Sequence, residues 1–157
     1  YGDRRRECEQ AAAGLGVPAL RDVSGVEGLV GLDGVLLRRA RHIVTENARV
    51  LEVVRMLRST GDPRDIGPVL TTGHASLRDD FEISTAELDA CVDAALAAGA
   101  HGARMVGGGF GGSAVVLVDR DRAGAVAAAV RAEFARRGYA APRTFDVVPS
   151  AGARRLA

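Results

Sequence analysis

The stretch Gly102-Ala103-Arg104-Met105-Val106-Gly107-Gly108-Gly109-Phe110-Gly111-Gly112-Ser113-Ala114-Val115-Val116-Leu117-Val118 decides the fold. Five of the six residues from Gly107 to Gly112 are glycine. A backbone so free of side chains takes positive φ angles without strain and lets a ligand come close to its N–H groups. The segment before it is short and mostly apolar. The segment after it is rich in β-branched residues and reads as a buried strand. The loop is therefore expected to join two strands.

That context sorts the motif readings. Gly107, Gly109 and Gly112 formally satisfy G-x-G-x-x-G. The dinucleotide fingerprint also requires the glycines to open a helix whose N-terminus faces a pyrophosphate. A strand follows here, which excludes it. A phosphate-binding P-loop needs a lysine, and all 21 basic residues of the chain are arginine. From the glycines alone, a hairpin turn with no ligand remains the alternative.

Residues 1 to about 15 read as a helix stopped by Gly14 and Gly16, with Pro18 beyond. Residues 19–34, with Gly25, Gly28, Gly31 and Gly34, read as a loop with a short helix. From Val35 to Arg58, Leu36, Ala40, Ile43, Val44, Leu51, Val54 and Leu57 recur at helical spacing. On the polar face, Glu46 with Arg49 and Glu52 with Arg55 form i,i+3 pairs, contributing about 0.2–0.5 kcal/mol each. Gly61-Asp62-Pro63 ends that helix. Ile66 to about Asp80 is a further helix, and Ser84-Thr85-Ala86-Glu87 has the form of a capping box opening another that closes near Gly99. Arg120 to Arg137 is a helix stopped by Gly138, and Thr144-Phe145-Asp146-Val147-Val148 reads as a third strand. Helices first, then β-loop-β, α and β, predict an α+β two-layer sandwich, an antiparallel sheet with helices mainly on one side.

A length of 157 residues fits one domain, residues 1–157. A chain of that size buries about 70% of its unfolded surface. A net charge of +1 and an aromatic content of 4% give no electrostatic or stacking basis for a nucleic-acid partner. No apolar run is long enough for a membrane span. The two cysteines, Cys8 and Cys91, lack metal or disulfide spacing and fit a reducing cytoplasm. The opening Arg4-Arg5-Arg6-Glu7 already reads as mid-protein, so the chain is expected to be a fragment.

Other candidate chemistry is weak. His42 and Glu46 at i,i+4 can hold a metal, but two ligands do not make a site and a packed histidine is the commoner outcome. Arg78-Asp79-Asp80-Phe81-Glu82 offers carboxylates for acid–base work or Mg²⁺, or else holds neighbouring backbone and arginine groups; the second is favoured. His74 and His101 are scattered. No nucleophile–histidine arrangement follows from spacing.

Four segments together resemble the C-terminal half of the galactokinases, in the superfamily of GHMP small-molecule kinases. They are the glycine loop with its lead-in Gly102 to Val106; Ser76-Leu77-Arg78-Asp79-Asp80-Phe81-Glu82-Ile83-Ser84 with Glu87-Leu88-Asp89; Arg39-Ala40-Arg41-His42-Ile43-Val44; and Tyr1 with Arg4-Arg5 and Cys8-Glu9. The resemblance implies a GHMP kinase C-terminal domain of ferredoxin-like type. It implies ATP-dependent, Mg²⁺-assisted phosphorylation of D-galactose at C1, giving galactose 1-phosphate.

It further implies that Gly107, Gly108, Gly109, Phe110, Gly111 and Gly112 form an active-site loop and that Tyr1 contacts the sugar. The catalytic Asp, the Mg²⁺ ligands and the phosphate-wrapping motif belong to an N-terminal domain outside this chain. No catalytic or metal-binding residue is therefore expected here, nor ATP or Mg²⁺ held by this chain alone. Val106 stands where the family usually has Thr, and Ser113 where relatives often have Cys. A sugar-sensing regulator on the same fold, a different small-alcohol kinase and a stand-alone module are the competing readings. The Tyr1 segment and Phe110 argue against the different kinase.

Overall fold

Residues Gly102–Val106 (β1) and Ser113–Leu117 (β2) form an antiparallel hairpin in which Gly102 faces Leu117 and Val106 faces Ser113. The register closes the ladder at the first and last residue of the glycine loop's flanks, so Gly107 to Gly112 is the connection, as the sequence predicts. The computed structural model describes residues 1–59, 61–148, 150–152 and 155.

The described residues also form five α-helices: α1 (Gly2–Gly14), α2 (Gly34–Arg58), α3 (Gly67–Asp79), α4 (Ala86–Ala97) and α5 (Ala123–Arg137). Their ends follow local chemistry. Asp62 accepts the N–H of Arg64 at 2.9 Å in the 3₁₀ turn Pro63–Ile66 that leads into α3. Gly99, at φ 92°, follows the end of α4. Gly138, at φ 72°, terminates α5, and the N–H of Tyr139 reaches back to the carbonyl of Phe134 at 2.9 Å.

The core has three parts. Ala90, Val92 and Ala95 of α4, Ala103 of β1 and Val126, Val130 and Phe134 of α5 form one. Ala11 and Ala12 of α1, Ala40 and Val44 of α2, and Leu20 and Leu29 form another. Leu20 and Leu29 belong to two 3₁₀ turns, Leu20–Asp22 and Val26–Leu29, which replace the single short helix expected there. The third, Leu77, Ile83, Leu88 and Met105, lies between α3, α4 and β1, beneath the glycine loop. Alanine supplies three of the seven buried residues of the first and three of the six of the second, small side chains that let the packed elements approach closely. The architecture is α+β, with α3 and α4 packed on the hairpin and α5 on α4.

Four expectations change. Residues 144–148 are not a strand: Phe145, Val147 and Val148 are 78%, 68% and 71% exposed. β-propensity measures fit to a half-buried pleated surface, and among the described residues no strand pairs with this segment. β2 is half-buried rather than buried, because a two-stranded sheet leaves each strand an open edge. The cap of α4 is Thr85, whose hydroxyl accepts the N–H of Leu88 at 3.4 Å; the hydroxyl of Ser84 instead donates to Asp89 at 2.6 Å. Arg49 does pair with Glu46, at 2.8 Å, but Arg55 turns to the carbonyl of Leu51 rather than to Glu52.

Candidate active site

Glycine is strongly favoured where φ is positive, and the loop is mostly of that kind. Gly107, Gly109, Gly111 and Gly112 have φ of 89°, 80°, 115° and 96°, and Phe110 joins them at 60°. Phe110 is therefore a side chain held in a conformation that few non-glycine residues adopt. Its ring is 52% exposed at the loop's tip.

One contact anchors this tip. The N–H of Phe110 donates to the carbonyl of Ile83 at 2.7 Å. Beside it, Gly109 lies flush on Ile83, and a Cβ there would stand 2.7 Å from Ile83 Cβ and 2.8 Å from its carbonyl oxygen. By contrast, a Cβ on Gly107, Gly108, Gly111 or Gly112 would meet nothing within 4 Å. Among the described residues, the N–H groups of Gly108, Gly109 and Gly111 donate to no backbone carbonyl. The loop is thus pinned at its centre and open at its sides, with amide donors free for an anionic group.

Ile83 is held by its own N–H on the carbonyl of Leu77 at 3.0 Å, by burial against Leu77, Leu88 and Met105, and by the charges around the residue before it. Its neighbour Glu82 has φ 53°, and its carboxylate accepts from Arg39 at 2.7 Å and from Arg38 at 3.1 Å, with Arg4 at 3.8 Å. Arg39 is 1% exposed. It also donates to Glu7 at 2.7 Å and to the carbonyl of Asp80 at 2.6 Å. Arg4 pairs with Glu7 in turn. The Arg39 hydrogen bond holds the Glu82 carboxyl below the usual range. Burial pushes Glu7 up, but hydrogen bonds from Arg39 and Arg4 outweigh it. The acidic segment Arg78–Glu82 is therefore a set of satisfied acceptors, as the structural reading of it predicts. Asp79 takes Arg78 at 2.7 Å, and Asp80 takes the Ser76 hydroxyl at 3.0 Å.

Two histidines stitch the helices to this frame. His42 is buried, stacked on Phe81 with ring centroids 4.5 Å apart, and its Nδ1 lies 3.0 Å from the Ser76 hydroxyl. Because that hydroxyl gives its proton to Asp80, His42 Nδ1 carries the hydrogen. Burial lowers its pKa to about 4. Glu46, one turn further along α2, is taken by Arg104 at 2.6 Å and Arg49 at 2.8 Å. His74 accepts the N–H of Met105 on Nδ1 at 3.2 Å and faces Asp89 with Nε2 at 3.1 Å. That fixes the hydrogen on Nε2, and burial lowers its pKa as well. Among the described residues no three His, Cys, Asp or Glu side chains converge as a metal site.

Tyr1 caps α1 through its carbonyl, which accepts the N–H of Arg5 at 3.2 Å. Its side chain is 79% exposed. The structure links its helix to the glycine loop only indirectly, through Arg4, Arg39, Glu82 and Ile83. Arg39 was visible in the sequence only as part of a block. Its signal was a charge on the apolar face of α2, three residues after Leu36 and four before Ile43. Nothing in the sequence marks Ile83 as the loop's anchor.

Residues 45–136 match the family model of the GHMP kinases C terminal. The galactokinase of Streptomyces coelicolor is 58% identical over 162 aligned positions, covering 99% of this chain and 41% of that protein. The galactokinase of Mycobacterium tuberculosis is 45% identical over 157, covering 98% and 43%. The crystal structure of Lactococcus lactis galactokinase complexed with galactose superimposes with a TM-score of 0.82 at 35% identity, over 90% of this chain and 39% of that one. The chain spans about two fifths of the length of the curated relatives it matches. With the family match, the identity to these relatives and the fold in agreement, the chain belongs to the GHMP kinase C-terminal family and is similar over nearly its whole length to galactokinases.

Proposed function

We propose that the chain is the C-terminal domain of a galactokinase, which phosphorylates D-galactose with ATP. It works joined to an N-terminal domain that carries the catalytic Asp, the Mg²⁺ ligands and the phosphate-wrapping motif. The observation that carries this reading is the 58% identity to a galactokinase along 99% of the chain. Gly107 to Gly112 is the active-site loop in this reading, and Tyr1 is the sugar contact.

Phosphoryl transfer depends on positioning and charge stabilisation more than on covalent chemistry. The loop suits that task. Its exposed amides offer hydrogen bonds to an anionic group, and its anchor on Ile83 means little reordering when the group arrives. Bound ATP and Mg²⁺ supply the phosphoryl group and neutralise its charge; the described residues offer amide donors toward ATP and no carboxylate cluster toward the metal. A cytoplasmic location agrees with Cys8 and Cys91 being free thiols. Among the described residues no helix is long and apolar enough to cross a membrane.

The test is a chimaera in which this chain replaces the matching C-terminal part of the Streptomyces coelicolor galactokinase. Coupled ADP release with galactose and ATP is expected from the chimaera and not from the chain alone. A folded chimaera without turnover, or turnover by the isolated chain, contradicts the proposal.

A further inference from the structure

We propose that Arg39 is a positioning residue for the glycine loop, acting through Glu82 and Ile83. Three observations carry it. First, Arg39 is 1% exposed yet fully engaged: Nε to Glu7, one terminal nitrogen to the carbonyl of Asp80, the other to Glu82, at 2.7, 2.6 and 2.7 Å. A buried guanidinium has a fixed fork geometry, so it sets where its acceptors stand as well as neutralising them. Second, two of those acceptors flank Phe81, and Glu82 lies in the left-handed region at φ 53°. A residue there needs outside contacts to hold it: the Phe81 and Ile83 N–H groups frame the turn on the carbonyls of Ser76 and Leu77 at 2.9 and 3.0 Å, and Arg39 is the most buried side chain that fixes it. Third, the next residue, Ile83, gives the loop its central hydrogen bond, 2.7 Å to the N–H of Phe110, and the surface on which Gly109 rests.

The chain of contacts runs from α1 through Arg39 to the tip of the loop without a gap. It couples the helix that begins at Tyr1 to the loop at Gly109 and Phe110. Arg38 also touches Glu82, at 3.1 Å, but from a side chain that is 37% exposed, and it holds no other acceptor in this set. The assignment therefore separates two adjacent arginines on one helix. The importance of the link for phosphoryl transfer rests on the function proposed above; the link itself does not.

Amide hydrogen exchange on this chain tests the link directly. The ratio of the Phe110 exchange rate to that of Ala95, a fully buried α4 residue, is read in each variant. Arg39→Met is expected to raise that ratio at least tenfold and Arg38→Met to leave it within twofold. Should Arg39→Met not fold, Glu82→Asn decides. Asparagine tolerates the left-handed backbone but is too short to keep the ion pair, so the same rise is expected. Glu82→Gln, which retains an acceptor at the same reach, should restore most of the protection. A uniform rise at both amides in Arg39→Met, or an unchanged ratio in Glu82→Asn, overturns the proposal. In the chimaera, Glu82→Asn is expected to lower kcat at least fivefold with Tm within a few degrees. Wild-type kcat there, despite a freed Phe110 amide, overturns the catalytic part. A chimaera inactive before any substitution counts against the proposed function and leaves the exchange result to decide the link.

Discussion

The backbones of Gly67 and Gly102 lie against each other with no room for a side chain. A Cβ built on Gly67 would overlap the carbonyl oxygen of His101, and one built on Gly102 would overlap the carbonyl of Gly67. The first turn of α3 thereby rests on the first residue of β1. The obstructing atoms are backbone on both sides, so neither neighbour can turn aside. Gly67→Ala and Gly102→Ala are each expected to destabilise the chain by about 2–3 kcal/mol, the upper part of the range for overpacked cores. The double variant should be no better than the worse single one. Urea unfolding checks this; a loss under 0.5 kcal/mol for either would show that α3 shifts freely on the hairpin.

Stability should fall as the medium is acidified, beginning well above the carboxylate range. His42 titrates near 6.5 when unfolded and at about 4 when folded, because burial opposes its charge. The folded pKa is the lower one, so the contribution is complete above pH 6.5 and is lost progressively as pH falls toward 4. The full loss is about 3 kcal/mol. His74 adds in the same direction, since protonating its Nδ1 breaks the bond from the Met105 N–H. Below about pH 4.5 the lowered carboxyls of Glu46 and Glu82 extend the fall. Unfolding free energies measured from pH 7.5 to 4.5 test the sign. A flat profile between pH 7 and 5 contradicts it.

Two glycines in one loop should respond differently to the same change. Gly109→Ala meets Ile83 at 2.7 Å and also forces a side chain to φ 80°. Gly108→Ala meets nothing within 4 Å. The first is expected to cost about 1–3 kcal/mol of local strain and, in the chimaera, at least tenfold in kcat/KM, about 1.4 kcal/mol. The second should leave stability within about 0.5 kcal/mol. Equal effects at the two positions would mean that the anchor on Ile83 is unimportant.

Tyr1→Phe separates a sugar contact from a packing role. The side chain is 79% exposed and makes no capping hydrogen bond, so Tm should not move. If the hydroxyl bonds galactose, about 0.5–1.5 kcal/mol is lost. The galactose KM of the chimaera then rises severalfold while the ATP KM holds. A change confined to the ATP KM contradicts the sugar assignment.

The elements were legible in the sequence because their signals are local. The apolar spacing of α2, the glycine stops after α1 and α5, and the β-branched run after Gly112 each act within a few residues. The observed boundaries fall close to those read from them. Residues 144–148 show the limit of that reasoning. Their alternation satisfies a strand, but a strand also needs a partner, and pairing is a property of the whole fold. Thr85 took the cap from Ser84 for a related reason: Asp89 claimed the Ser84 hydroxyl first.

The order of residues alone specifies a helical α+β domain with one glycine loop between two strands, carrying the blocks of a known kinase family. The periodicities of helix and strand and the φ freedom of glycine are written into neighbouring residues. How those blocks meet is a property of the folded chain. Arg39 and Glu82 stand 43 positions apart, and Ile83 and Phe110 stand 27 apart, yet each pair shares a hydrogen bond of 2.7 Å. No local rule brings them together. Burying Leu77, Ile83, Leu88 and Met105 in one cluster does, and with those side chains in place the loop has a single surface on which to rest.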